Sequence, residues 1–175
     1  ELDIGGVERH VIDLSNELAE RGHEVLVISA GGKMQSQLSP KVEHRLLSVH
    51  KKNPFLVYKH ALKIASWVKN DGWQIIHAHS RVPAWIAMIS AYQSKVPYVV
   101  TAHSDFSTKY HWIYKPYRSA YCTICVSKTV EAGMKNYFGS NTTVIKNGLP
   151  ENFPKWKRKV SDVTHFLSVG RLSEK

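Results

Sequence analysis

The sequence predicts an α/β fold, a doubly wound parallel sheet with helices on both faces. Three observations support this prediction. Segments with apolar residues at helical spacing alternate with short apolar runs along the chain. The run at 24–30 (EVLVISA) is almost continuously apolar, which is typical of strands covered on both faces. The helical segments between runs are roughly 10–20 residues long, which suits right-handed crossovers between parallel strands.

The first half of the chain begins with an amphipathic helix predicted over residues 6–21, which Gly22 ends. Strands are predicted at 24–30 and, from a weaker pattern, at 42–49. Asn53 caps a second helix, Pro54 is its first residue, and Asp71-Gly72 stops it. The predicted buried stripe of that helix is Val57, Ala61, Ile64 and Val68, flanked by Tyr58, Leu62 and Ala65.

The second half continues the alternation. Strands are predicted at 74–79, 97–102, 123–126 and 143–146. Helices are predicted from Pro83 to about residue 91, within 108–120, and from a capping Ser127 to Tyr137, before Gly139. After Asn147-Gly148 the composition changes, because the next stretch contains prolines and several basic residues. We therefore predict one domain over 1–148, a linker over 149–162, and the first strand of a second domain over 163–175.

Composition limits the classes of function. The 175 residues, 43% of them hydrophobic, suffice for one packed domain. The formal net charge of +10 favours anionic partners, namely nucleic acid, acidic lipid or phosphorylated substrates, without choosing among them. No apolar run approaches the roughly 20 residues that a membrane span needs. No signal peptide is visible, so a cytoplasmic location is expected.

Cys122 and Cys125 form a Cys-x-x-Cys pair within a predicted strand. Residues three apart on a strand point to opposite faces, and the sequence has no second cysteine pair to complete a zinc site. We expect a reduced structural pair rather than a redox or metal centre.

Two sets of residues at predicted element ends are candidates for chemistry. Gly5-Gly6 precede the first helix, where backbone N–H groups and the helix dipole can attract a phosphate; a simple tight turn is the alternative. His77, His79 and His103 lie near carboxyl ends of strands, where ligands bind in such sheets. His77 and His79 could share a metal, but the sequence offers no third ligand at convincing spacing. His103 is the better candidate, with a hydrogen-bonded structural histidine as the alternative.

Aromatic and basic residues are interleaved at 107–118 (STKYHWIYKPYR). This mixture suits a membrane interface, and it would also suit single-stranded nucleic acid, although no nucleic-acid motif accompanies it. A helix that simply packs on the sheet is the third interpretation. There is also no G-x-S-x-G motif that would indicate a serine nucleophile.

Six segments in order resemble group 1 glycosyltransferases, the retaining family 4 enzymes with the GT-B fold. They are GGVERHVIDLSNELAERGHEVLVIS, IIHAHS, VVTAHS, ICVSKTVEAGM, VIKNGLPENF and FLSVGRLSEK, which together cover nearly the whole chain. The resemblance implies two Rossmann-like domains that face each other across a cleft. The N-terminal one mostly binds the acceptor, and the C-terminal one mostly binds the nucleotide sugar. Transfer with retention of configuration, with no metal or other cofactor, is implied as well.

The resemblance also implies roles for single residues. Gly5 and Gly6 match the loop that approaches the donor diphosphate, and His103 matches the active-site histidine near the transferred sugar. Arg171 matches an arginine that pairs with the diphosphate, where a cation would stabilise the charge of the leaving group. Family members have an apolar strand before the Gly-Gly loop and a full donor domain after the G-R motif. We therefore expect a chain truncated at both ends, with the first strand missing.

The leading hypothesis is the acceptor-binding half of an enzyme that transfers sugar to a polysaccharide or a lipid-linked acceptor, as in lipopolysaccharide and other cell-envelope synthesis. A non-catalytic Rossmann-like binding module and a basic nucleic-acid-binding α/β domain are the alternatives; the leading hypothesis includes no nucleic-acid partner. We also expect peripheral docking on the inner face of the cytoplasmic membrane, through anionic lipid. The candidate membrane or acceptor contacts are Lys59, Lys63, Lys109, Trp112, Lys115 and Arg118.

Overall fold

The protein is described here from a computed structural model, over residues 1–104 and 110–148. Its helices are α1 (Gly6–Glu20), α2 (Pro54–Asp71), α3 (Arg81–Ser94), α4 (Lys115–Arg118) and α5 (Lys128–Phe138). Its strands are β1 (Val25–Ser29), β2 (Val42–Leu46), β3 (Ile76–Ala78), β4 (Tyr98–Ala102), β5 (Cys122–Cys125) and β6 (Thr142–Val144). Two 3-10 turns, at Gln35–Gln37 and His111–Tyr114, complete the described elements.

All described strand pairs are parallel, as predicted. They form two sheets, one with the order β1-β2 and one with the order β3-β4-β5-β6. Within the larger sheet, Val100 of β4 lies opposite Ala78 on one side and Thr123 on the other. The α/β class with parallel strands is therefore confirmed. The carboxyl ends of β3 and β4 lie side by side.

A cavity of about 1070 Å³ separates the two sheets. Every residue of β1 and of β3 lines it, together with side chains from α1, α2 and α3. Within the described residues β1 pairs only with β2, and β3 only with β4, so both strands turn an unpaired edge to this space.

Leu2 closes one end of this region and is almost fully buried. Its N–H donates to the carbonyl of Gly31, and its carbonyl accepts from the N–H of Met34. Gly32 allows this close approach, because a Cβ there would lie 2.5 Å from the backbone carbon of Leu2, and its φ of +144° disfavours other residues. The Gly31-Gly32 pair, which ends β1, therefore also contacts the backbone of Leu2 at the start of the chain.

The apolar core has three parts. One surrounds the larger sheet and includes Val100, Tyr114 and Phe138, while a second lies beneath α1 around Ile12 and Val27. The third joins α2 to α3 around Ala61 and Ile86. The predicted caps are confirmed. The Asn53 side chain accepts from the N–H groups of Phe55 and Leu56, and the Ser127 hydroxyl accepts from the N–H of Val130.

Several boundaries differ from the predictions. A helix does lie within 108–120, as predicted, but it is short: the described part is a 3-10 turn followed by the single turn of α4, with Pro116 in the first turn of that helix. The third helix begins at Arg81, two residues before Pro83. Tyr58 and Leu62 do not border the buried stripe of α2 but are 51% and 41% exposed. The predicted linker at 149–162 and the strand within 163–175 lie outside the described residues.

Cys122 is partly buried and Cys125 is fully buried, and both are free thiols. Their alternation on β5 follows the strand pleat, as predicted. Burial raises the pKa of the Cys125 thiol to about 11, so it remains protonated and unreactive at neutral pH.

Candidate functional site

Three histidines meet at the carboxyl edge of the larger sheet. His79 follows β3, His103 follows β4, and His10 projects toward them from α1. The ring centroid of His10 lies 5.5 Å from that of His79 and 5.0 Å from that of His103, and the His79 and His103 centroids are 5.6 Å apart. The Nδ1 atom of His79 and the Nε2 atom of His103 are 3.3 Å apart. We call these three residues the histidine cluster.

Local structure explains why the cluster forms. β3 and β4 are parallel neighbours with His77 opposite Val99, so the chain leaves both strands at the same edge. The first helix packs with Ile12 and Ala19 buried, and this orientation brings His10, on its second turn, over that edge. Each ring of the cluster is partly buried, with one side accessible from outside the protein.

His77 lies next to His79, on the side of the cluster that faces the interior of the sheet. Its ring centroid is 4.1 Å from that of His79, and its Nε2 atom is 2.7 Å from the hydroxyl oxygen of Thr101, which is buried. This hydrogen bond holds one ring nitrogen of His77 inside the sheet, so His77 supports His79 and does not offer that nitrogen to a ligand.

Burial makes these histidines poor bases. Desolvation lowers the pKa of His103 to about 4, with a smaller contribution from neighbouring His10. Desolvation also lowers the pKa of His77 to about 4 and that of His79 well below its usual range. The pKa of His10 is lowered by desolvation too, partly offset by the negative charge of Asp13. All four rings are therefore neutral at pH 7 and offer hydrogen bonds rather than positive charge.

Gly5 and Gly6 lie at the amino end of the same helix, one turn before His10. Gly5 is the N-cap residue, and no side chain caps the first turn. The N–H groups there are thus available to an anion, which the helix dipole also favours. Four residues of helix rise about 6 Å, so Gly6 lies about that far from His10 along the axis of α1. The Glu8 carboxylate lies over Gly5 and would have to swing away from a bound phosphate.

The predicted surface contacts separate into two regions. Lys59 and Lys63 are exposed on α2, beside Phe55, which is 74% exposed. In the other region, Lys115 and Arg118 are exposed on α4, and Trp112 before it is 66% exposed. Tyr114, in contrast, is fully buried against Tyr117, Tyr137 and Phe138, so it belongs to the core.

The structure therefore brings together His79 and His103 and adds His10, which lies one turn after the Gly5-Gly6 turn on α1. Arg171 and Lys109 lie outside the described residues. Sequence reasoning missed His10, which supplies a third imidazole to a group that had seemed to lack one. A detectable signal existed: His10 follows Gly6 by four residues, so a helix starting at the glycines places it on the face above them.

Comparison with known proteins identifies relatives of this chain. The model of the family named Glycosyltransferase Family 4 matches residues 4–153. A phosphatidyl-myo-inositol mannosyltransferase from Propionibacterium freudenreichii subsp. shermanii is 24% identical in an alignment 165 residues long. The alignment covers 83% of this chain and 43% of that protein.

Solved structures show the same relationship. A glycosyltransferase from Rickettsia africae ESF-5 superposes with a TM-score of 0.72 and 27% identity, over 83% of this chain and 40% of that one. HepE from Anabaena, solved in complex with UDP-glucose, superposes with a TM-score of 0.62 and 17% identity, over 83% of this chain and 41% of that one. At that identity the second match shows the fold alone. The chain spans less than half the length of each of these relatives.

Proposed function

Because the chain belongs to glycosyltransferase family 4, we propose that it is the acceptor-binding half of a GT-B enzyme that transfers a sugar from a nucleotide-sugar donor with retention of configuration. The acceptor in this proposal is a polysaccharide or a lipid-linked intermediate. The observation that carries the proposal is the position of His103: it joins His10 and His79 at the carboxyl edge of the sheet, and His10 lies on the helix that begins at the Gly5-Gly6 turn.

In this proposal, the amino end of α1 holds the donor diphosphate. A leaving nucleoside diphosphate gathers negative charge, and the uncapped N–H groups after Gly5 would stabilise that charge from one side. Arg171 would add a charge-assisted contact from the second domain. Backbone donors and one arginine can supply this stabilisation without a metal ion, so the proposed transfer needs none.

His103 would contact the sugar that is transferred. Its pKa near 4 keeps the ring neutral, and a neutral imidazole suits hydrogen bonding to a sugar hydroxyl better than proton donation to a leaving group. His79 would orient that ring through the 3.3 Å contact between Nδ1 and Nε2. His77 would steady His79 from the buried side through its bond to Thr101.

A lipid-linked acceptor is supported by the outer surface of α2. Phe55, Tyr58 and Leu62 are exposed at helical spacing and form an apolar stripe, with Lys59 and Lys63 next to it. Exposed Lys51 and Lys52 precede the helix. Such a face can insert rings and aliphatic groups among headgroups while the cations contact anionic lipid. Among the described helices, none has both the length and the hydropathy of a membrane span, so this contact would be peripheral.

The catalytic proposal is tested with the full-length protein and a panel of UDP- and GDP-sugars. Lipid-linked and polysaccharide acceptors are supplied separately, and nucleotide release is measured with and without each acceptor. We expect acceptor-dependent release with one donor, and a product that keeps the donor's anomeric configuration. Donor binding without turnover by any acceptor would favour the alternative, a non-catalytic binding module. Binding of oligonucleotides with steep salt dependence, and no donor binding, would favour a nucleic-acid-binding domain.

A further inference from the structure

We propose that His10, His79 and His103 form a binding site for one divalent transition-metal ion of the zinc type. Each residue directs a ring nitrogen into the same space, and these three nitrogens lie within 4.8 Å of one another. The residues come from three separate elements, α1 and the ends of β3 and β4, which are held in place by the packed core.

The distances between the rings match a three-histidine site. A Zn–N bond is about 2.0–2.1 Å, which places each ring centroid about 3.2 Å from the metal; tetrahedral angles then set centroids about 5 Å apart. The observed separations are 5.0, 5.5 and 5.6 Å. The Nδ1 atom of His79 and the Nε2 atom of His103 are 3.3 Å apart, which is about the separation of two ligand nitrogens at a tetrahedral metal ion.

Little movement would complete the site. The farthest pair of ligand nitrogens has to approach by at most about 1.5 Å to reach tetrahedral spacing, which small rotations of the His10 side chain can supply. Among the described residues only these three ligands converge, so a fourth position stays open to water or to an anionic oxygen of a bound ligand. Three protein ligands with an open fourth position are the arrangement of catalytic rather than structural zinc sites.

The ligand chemistry selects the metal. Three neutral imidazoles favour Zn²⁺, Co²⁺, Ni²⁺ or Cu²⁺, whereas Mg²⁺ and Mn²⁺ prefer carboxylate and water oxygens. On α1, Asp13 is bonded to Arg9, and no carboxylate joins the three histidines among the described residues. The proposed site is therefore distinct from the magnesium or manganese sites that assist phosphate chemistry.

Metal binding would restrain His103. If His103 contacts the transferred sugar, as the proposed function states, then Zn²⁺ is an inhibitor that competes with productive sugar binding. This consequence rests on the proposed function, whereas the metal site itself does not. Binding and turnover are therefore measured separately, so that failure of one can be distinguished from failure of the other.

The direct test is a titration of the metal-free purified chain with Co²⁺, followed by its visible absorption, and then displacement by Zn²⁺. We expect one equivalent of Co²⁺ with the intense visible bands of a tetrahedral site, and no displacement by excess Mg²⁺. Substitutions His10→Ala, His79→Ala and His103→Ala should each weaken binding at least about a hundredfold, since even loss of a partner behind a ligand costs 10–100-fold.

Two controls make the result decisive. His23→Ala removes an exposed histidine between α1 and β1 and should leave affinity unchanged. Replacing both cysteines (Cys122→Ser with Cys125→Ser) should also leave the metal affinity unchanged. The visible spectrum of the Co²⁺ form should stay the same, because no thiolate binds the ion. Near-UV circular dichroism checks the fold of each variant, and His10→Gln replaces His10→Ala if the latter unfolds. Undiminished affinity in the His10 variant, absence of stoichiometric binding, or loss of binding in the cysteine variant would overturn the proposal.

Discussion

Neutralising two lysines on α2 should weaken membrane docking by a calculable amount. Lys59 and Lys63 are both exposed, and each lysine near an anionic surface contributes about 1 kcal/mol. The double variant Lys59→Gln with Lys63→Gln should therefore lose about 2 kcal/mol of binding free energy, roughly a 30-fold weaker affinity. The Nζ atom of Lys63 also lies 5.1 Å from the ring centroid of Trp67. The melting temperature of the double variant is therefore measured as well, to separate a loss of stability from a loss of membrane binding.

The assay is co-sedimentation with vesicles of phosphatidylcholine, with and without phosphatidylglycerol. Binding should require the anionic lipid and should fall as added salt shortens the Debye length below about 10 Å. The variant Phe55→Ser tests the apolar part of the same face, because burying an exposed phenylalanine is worth about 1.5–3 kcal/mol.

The matched control is Lys128→Gln with Lys135→Gln, which removes the same charge from exposed positions of α5. That helix packs on β5 and β6 and makes no extensive contact with α2. The control should bind almost as well as the unmodified protein. Equal losses in both double variants would show that net charge alone attracts the chain, and equal binding to neutral vesicles would refute electrostatic docking altogether.

Three further predictions concern the donor side, the chain by itself and its stability. In the full-length protein, Arg171→Ala should cost about 3 kcal/mol of transition-state stabilisation, a hundredfold or more in rate, while Lys175→Ala costs far less; similar small losses would show that Arg171 has no diphosphate contact. A protein of residues 1–175 alone should not transfer sugar from any nucleotide sugar, because these residues span less than half the length of the relatives they match, and measurable turnover would contradict that. Asn53→Ala should remove the two hydrogen bonds that cap α2 and destabilise the fold by about 1 kcal/mol, a fall in melting temperature of about 2–4 °C that calorimetry would detect; an unchanged melting temperature would show that the cap contributes little.

Local chemistry explains which parts of the fold were predictable. Asn53 before Pro54 and Ser127 before α5 act through hydrogen bonds to residues two or three positions away, so their effect is visible in the sequence. The same holds for Gly72, whose left-handed conformation ends α2. The apolar runs predicted every described strand, although five of the six are shorter than predicted and β5 begins one residue earlier, at Cys122.

Features that depend on distant contacts were not predictable. The exposure of Tyr58 and Leu62 depends on where α3 packs against α2, which periodicity along one helix does not reveal. The cavity between β1 and β3 reflects the pairing of strands, and no local pattern records it.

The candidate site was predictable where it depends on a single strand, and unpredictable where it depends on contacts between distant elements. His79 and His103 follow strands, and the rule that ligands bind at carboxyl ends was sufficient to select them. Their contact with His10 depends on how α1 lies over the sheet, so a search for ligand spacing along the sequence could not find it. The neutral state of these rings likewise follows from burial in the folded protein, which the sequence does not show.

The most direct test of the central claim is the turnover of His103→Ala in the full-length protein, measured in metal-free buffer with the donor and acceptor that support transfer. The loss of one hydrogen bond to a reacting sugar should cost about 1.5–3 kcal/mol, roughly a 10- to 150-fold fall in kcat. The melting temperature should stay within a few degrees, because the ring is partly buried and its contacts with described residues are a long 3.3 Å contact to His79 and an edge contact with His10. His44→Ala, which removes a histidine bonded to Ser29 away from the cluster, should keep normal turnover. Normal turnover by His103→Ala, together with a large fall in its melting temperature, would contradict the account and make His103 a structural residue.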